Sequence, residues 1–279
     1  MTLPHRLKSV LWWALCGLVF WWLCWGIAWS APDEMVRIAG GTFLPLYNVA
    51  PDKGKLVKGA TRAGTSVQVA PFYLDRYPVT NKQFLEFVKA NPKWRRSKVK
   101  RLFAERGYLK HWKSDTSFDV TLASSPVVNV SWFAARAYCK AHSKRLPTEQ
   151  EWEFVAQASQ DKPNGLRDPA FRKQVLYWYG KPTPDRLPSV GKAFRNVYGV
   201  YDMYGLTWEW VGDFNTLLGT GESRGDSNLE RDLYCAGGSV GSVDASDYAA
   251  YMRYAFRSSL KANYAVPNLS FRAASCRNQ

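Results

Sequence analysis

The stretch NVYGVYDMYGLTWEWVGDFN, residues 196–215, decides how this chain is read. Three tyrosines, Tyr198, Tyr201 and Tyr204, precede the triplet Trp208-Glu209-Trp210. Gly199 and Gly205 punctuate the stretch, and Asp202, Glu209 and Asp213 lie among its rings. Neither helical periodicity nor strand alternation fits, which predicts a compact, loop-rich core segment. The aromatics supply large buried area, and the glycines permit turns that a Cβ would obstruct. An acid among tryptophans must find hydrogen-bond donors or a cation, because burying its charge alone is too costly.

Helix signals lie upstream. Thr148, with Glu151 three residues on, makes a capping box for a helix over 149–158. Ser131 is a good N-cap for a helix over 132–143, with Phe133, Ala137 and Tyr138 inward, and Pro147 prevents continuation. Thr80 caps a helix over 81–90 that carries Phe84, Leu85 and Val88 on one face. Residues 35–43 read as a strand turning into a hairpin at Gly40-Gly41, and 66–75 as a returning strand. Residues 48–65 and 215–235 read as polar loops. Residues 160–188 are Pro-rich and irregular, apart from an apolar piece near 175–179. Beyond Cys235 strands alternate with loops. Three helices among short strands and long loops predict a mixed α+β fold, with no repeat and no interdomain linker.

Several blocks in chain order carry a resemblance. Asn196, Gly199, Asp202, Met203, Gly205, Trp208, Glu209 and Trp210 match the pattern of formylglycine-generating enzymes (sulfatase-modifying factors), with Leu206 where that family usually has Asn. Met35-Val36 with Gly40-Gly41-Thr42-Phe43 match as well, as do Phe72-Tyr73 with Val79-Thr80-Asn81 and Phe84. So do Val130-Ser131-Trp132, Arg145-Leu146-Pro147-Thr148-Glu149 and Glu151-Trp152-Glu153. Gly237-Gly238-Ser239, Arg257-Ser258 and Asn268-Leu269-Ser270-Phe271-Arg272 close the series. The resemblance implies a formylglycine-generating-enzyme-like, C-type-lectin-like core with little regular secondary structure, in one domain over 31–279.

Residues 1–30 read as an export segment. Arg6 and Lys8 precede an apolar run over 10–29, and Ala28-Trp29-Ser30 is a small-x-small site. This predicts a Sec signal peptide cleaved after Ser30, with an uncleaved inner-membrane anchor as the alternative, since the run is long enough to span a bilayer. The expected location is the periplasm, where disulfides are permitted. Cys139, Cys235 and Cys276 remain after cleavage, an odd number. The resemblance suggests Cys139 with Cys276; Cys235 with Cys276, or a buried free thiol at Cys139, are equally open.

Formal net charge is +15; losing Arg6 and Lys8 with the leader leaves +13. Nucleic acid is not expected for an exported chain, and an acidic partner or anionic membrane surface suits the charge better. Much of the asymmetry lies in a basic insertion, 91–113, with Trp94, Phe103, Tyr108 and Trp112 between the cations. It reads either as a docking surface or as a solvated segment pinned to the body by its rings.

The resemblance also sets the chemistry to look for. Formylglycine-generating enzymes hold Cu(I) with two cysteines after the Gly-Gly-Ser strand, and soft thiolates suit that ion. In this chain those places fall near Ser242 and Ala249, and no cysteine lies between Cys235 and Cys276. Copper by the cysteine-pair mode, and formylglycine generation, are therefore not expected. Iron is not expected either, because His111 and His142 show no ligand spacing and read as ordinary surface histidines. The family implies structural calcium, for which Asp202 and Glu209 are candidate ligands.

The segment after the strand offers Ser239, Ser242, Asp244, Asp247, Tyr248, Arg253 and Arg257 as candidate catalytic or binding residues. The alternative is that Arg253 and Arg257 pair with Asp244 or Asp247 as scaffold. The runs 213–215, 220–224 and 252–259 resemble exported family members associated with copper nitrite reductase in denitrification. A related branch acts in pyoverdine maturation. Two functions follow as expectations: maturation or oxidative modification of a periplasmic protein or secreted metabolite, or a non-catalytic lectin-like module that docks an acidic partner.

Overall fold

Among the described residues, seven short strands and four α-helices are joined by long irregular connections. The computed structural model describes residues 35–43, 66–166, 168–214, 249, 252–253, 255–257 and 259–276. The leader, the 48–65 and 215–235 loops, Cys235 and residues 239–248 lie outside the described residues. The described elements all fall in one compact unit, Met35–Gln279.

Strands β1 (Met35–Ile38) and β2 (Gly41–Phe43) flank Gly40, and β3 (Val67–Val69) and β4 (Phe72–Asp75) flank Ala70-Pro71. The expected hairpin between β1 and β2 does not form. β1 pairs antiparallel with β4, and β2 pairs antiparallel with β3. Both chain segments turn a corner together and pass from one sheet to the next. Gly40, at φ 72°, is required there, because a Cβ would sit 2.3 Å from the Val69 carbonyl oxygen. β7 (Ala274–Ser275) adds to β4, giving the order β1-β4-β7. β5 (Trp208–Glu209) and β6 (Leu269–Ser270) form a separate parallel pair.

Helix α1 (Asn81–Ala90) begins at Thr80, whose side chain and Gln83 cap each other reciprocally. α2 (Trp132–Ala141) begins at Ser131, and α3 (Glu149–Ala156) at a Thr148–Glu151 capping box. α2 and α3 each stop two residues before their expected ends. A fourth helix, α4 (Pro169–Gly180), occupies part of the stretch read as irregular. Its signals were present: Asp168 caps the Ala170 N–H, Pro169 takes the first turn, and Phe171 and Val175 bury one face.

The core is aromatic. Phe84 meets Phe87, Trp112, Tyr138 and Phe271 at ring-centroid distances between 5.3 and 6.3 Å. The described part of the central stretch, 196–214, packs into it, with Val200, Met203, Tyr204, Trp210 and Val211 buried and two residues in a strand.

Candidate functional site

The two acids of the central stretch find the partners that burial demands. Glu209 is fully buried against Arg272, and the two side chains have no exposure. Arg272 Nη2 donates to Glu209 Oε1 at 2.7 Å and Nε to Oε2 at 2.8 Å, while Trp152 Nε1 donates to Oε2 at 2.8 Å. The remaining guanidinium donors reach the carbonyls of Asp75, Arg76 and Tyr201. Asp202 adopts φ 59° and accepts the backbone N–H groups of Gly191, Ala193 and Phe194. Burial pushes the Asp202 carboxyl up, against the pull of those donors and of Arg272.

Both carboxylates expected as Ca²⁺ ligands spend oxygens on protein donors. Glu209 shares its oxygens with a guanidinium that would repel a dication, and Asp202 is occupied by three N–H groups. Among the described residues no group of three or more His, Cys, Asp and Glu converges as a metal site. His111 is no surface histidine. It lies 3.0 Å from Asn81 Oδ1, which also accepts Trp112 Nε1, and burial, helped by the Lys110 charge and opposed by Asn129, lowers its pKa to about 4. His142 Nδ1 lies 2.8 Å from the Tyr138 carbonyl. Cys139 is buried in α2 and Cys276 is exposed beside Arg145, and no disulfide joins the two. Cys235 and its alternative pairing lie outside the described residues.

Of the candidate catalytic residues, Ser239, Ser242, Asp244, Asp247 and Tyr248 lie outside the described residues. Arg253 and Arg257 are described, and their anchoring partners come from α3. Arg253 makes a bidentate contact with Glu153, Nε to Oε1 at 2.9 Å and Nη2 to Oε2 at 2.8 Å. Its Nη1 reaches the Tyr179 hydroxyl at 3.0 Å and the Ala249 carbonyl at 3.4 Å. Arg257 Nη1 bridges Glu149 at 2.8 Å and Glu153 at 2.7 Å, with the guanidinium 4.7 Å from the Trp152 ring centroid.

The complementary spacing could have been read. Glu149 and Glu153 are four apart on a helix, as are Arg253 and Arg257 on helical backbone, so each pair lies on one face. Beside them Tyr179, Trp208 and Phe256 stack in series at 4.9 and 4.5 Å.

The electrostatics follow from this closure. Burial pushes Glu153 up, but two guanidiniums outweigh it and the net shift is downward. Glu149 has a weaker share of cation and two acidic neighbours, so burial wins and it is raised. Burial holds the Tyr179 and Tyr204 hydroxyls protonated. The cluster is a neutral, interlocked floor. Its described residues offer a rigid wall of rings and a donor-rich face, but no free base and no activated nucleophile.

The chain matches the sulfatase-modifying factor enzyme 1-like domain over residues 28–276 and belongs to that family. It is 34% identical over 217 residues to the inactive C-alpha-formylglycine-generating enzyme 2 of Bos taurus, covering 64% of this chain and 70% of that one. It is 31% identical over 221 residues to the formylglycine-generating enzyme of Thermomonospora curvata, covering 64% and 71%. A looser structural likeness, with TM-score 0.47 and 16% identity over 88% of this chain and 95% of the other, is to PvdO from Pseudomonas aeruginosa. By its family match, the α+β architecture is a formylglycine-generating-enzyme-like fold.

Proposed function

We propose that this protein is an exported, copper-thiolate-independent member of its family that assists maturation or modification of a periplasmic protein or a secreted metabolite. One observation carries the reading. Ala249 is buried four residues before Arg253, near where the family pattern gives the second copper cysteine, and the arginines beside it are already neutralised by Glu149 and Glu153. A methyl group is no ligand for Cu(I), and the chain has no cysteine between Cys235 and Cys276. Similarity to a relative named inactive supports the same reading. Ser239, Ser242, Asp244, Asp247 and Tyr248 are the proposed polar groups that contact the substrate.

A second reading, a non-catalytic binding module, is favoured by the closed state of the cluster. Its carboxylates are matched by guanidiniums, and its tyrosines are held protonated. One pair of experiments separates the two. Purified protein given Cu(I), oxygen and a cysteine-bearing peptide should yield no formylglycine by mass spectrometry; conversion would overturn the copper-independent reading. A strain lacking the gene should lose nitrite reductase activity or siderophore maturation and regain it with the wild-type gene. Full recovery with Asp247→Ala would favour the binding module, and an unaffected deletion strain would overturn the maturation role.

A further inference from the structure

We infer that the basic insertion at 91–113 is a contact site for anionic phospholipid headgroups. The inference stands on this insertion alone and does not depend on the maturation reading. Nine Lys and Arg residues and a single acid, Glu105, fall within it, more than half of the formal net charge of +15.

The segment is held rather than merely wet. Trp94, Tyr108, Leu109 and Trp112 are buried in the core cluster. The Glu105 N–H donates to the Asn263 carbonyl at 2.9 Å, and Gly107 approaches so closely that a Cβ would sit 2.7 Å from the Ala265 oxygen. Lys100 to Ala104 form a tight turn, with the Phe103 and Ala104 N–H groups both donating to the Lys100 carbonyl.

This scaffold opens a cleft of about 290 Å³ whose cations are Arg96, Arg101, Arg106 and Lys110. The two acids in its wall are already engaged. Asp115 accepts the Ser97 N–H and hydroxyl, and Glu105 accepts the Ala265 N–H at 2.7 Å. Arg96 spends one nitrogen on the Leu109 and Trp112 carbonyls. Among the described residues Arg101, Arg106 and Lys110 have no carboxylate partner, in contrast to the guanidiniums of the core.

Two bulky apolar residues follow Arg101 directly in the chain. Leu102 is 72% exposed and Phe103 37% exposed, with Phe103 braced edge-on against Phe133 at 5.3 Å. Cations around an exposed Leu-Phe pair match what a lipid surface offers. The phosphates meet the cations, and the apolar pair enters the headgroup–acyl boundary. A purely acidic patch would match the cations but would offer nothing to Leu102.

The test follows amide hydrogen exchange in the full chain, which reads the insertion apart from the N-terminal apolar run. Phosphatidylglycerol vesicles should slow exchange over residues 98–106, and phosphatidylcholine vesicles should not. Each of Lys100→Gln, Arg101→Gln and Arg106→Gln should lower the apparent vesicle affinity about fivefold, near 1 kcal/mol per basic residue. Leu102→Ser should weaken it further at unchanged charge. No protection by phosphatidylglycerol, or equal protection by both lipids, would overturn the inference. So would protection by inorganic phosphate or polyglutamate in the absence of protection by lipid, which would make the cleft a free-anion or acidic-protein site.

Discussion

Arginine serves two opposite purposes in this molecule. Arg253, Arg257 and Arg272 lie in the core, each within 2.8 Å of a carboxylate oxygen. Arg101 and Arg106 lie on the 91–113 insertion with no carboxylate partner among the described residues. In the core, burial of a charge forces pairing, so the guanidinium becomes scaffold. On the insertion, water carries the cost of the charge, and the cation is left available to a partner. The type of residue is therefore no guide to a binding role here, whereas its state of neutralisation is.

The sharpest way to break this contrast is to unpair the buried bridge. Arg272→Met leaves Glu209 buried and uncompensated and should cost about 3–5 kcal/mol in chemical denaturation. A loss under about 1 kcal/mol would mean that the pair is not the closed structure described. Glu153→Gln should come next, at about 1.5–3 kcal/mol, because both arginines lose charge-assisted bonds while the side chain keeps a fifth of its surface exposed.

The two glutamates should also differ in pH dependence. Glu153 has a depressed folded pKa, so its contribution is present above the unfolded glutamate value and fades as pH falls through the folded one. Glu149 has a raised folded pKa, so it opposes stability as pH rises. Glu149→Gln should therefore be milder than Glu153→Gln at neutral pH, and the two should converge in acid. His111, neutral down to about 4, adds acid sensitivity of its own: the unfolded chain binds its proton first, so stability falls as pH drops from 6.5 towards 4. Imidazole titration by NMR should show no His111 midpoint above about 5.

The smallest effect belongs to the insertion. Lys100→Gln, Arg101→Gln and Arg106→Gln should each shift stability by no more than about 0.5 kcal/mol. Larger losses would place these cations with the core arginines rather than apart from them.

Much of the architecture was legible in the chain because it was written locally. Thr80, Ser131 and Thr148 cap helices whose starts need only the next three residues. The pairing of β1 with β4 was not legible. Gly40-Gly41 looks like a hairpin turn until one knows that the Val69 backbone lies against it. α4 is hard to read in the sequence because flanking prolines mask its Asp168-Pro169 start. At the candidate site, the need of Glu209 and Asp202 for donors could be argued from their neighbours, but not which donors, since Arg272 is 63 residues from Glu209. Arg253 and Arg257 were found, while their partners Glu149 and Glu153 went unread. The two pairs lie about a hundred residues apart, and only their shared four-residue spacing links them.

The proposed independence from a copper-thiolate pair rests on the absence of any cysteine between Cys235 and Cys276, with Arg253 and Arg257 closed onto Glu153 and Glu149. Titration of the purified full chain with Cu(I) against a chromophoric chelator tests it most directly. The account predicts that no stoichiometric copper survives the competition. One copper retained per chain would contradict it and would require ligands other than a thiolate pair between Cys235 and Cys276, where the chain has no cysteine.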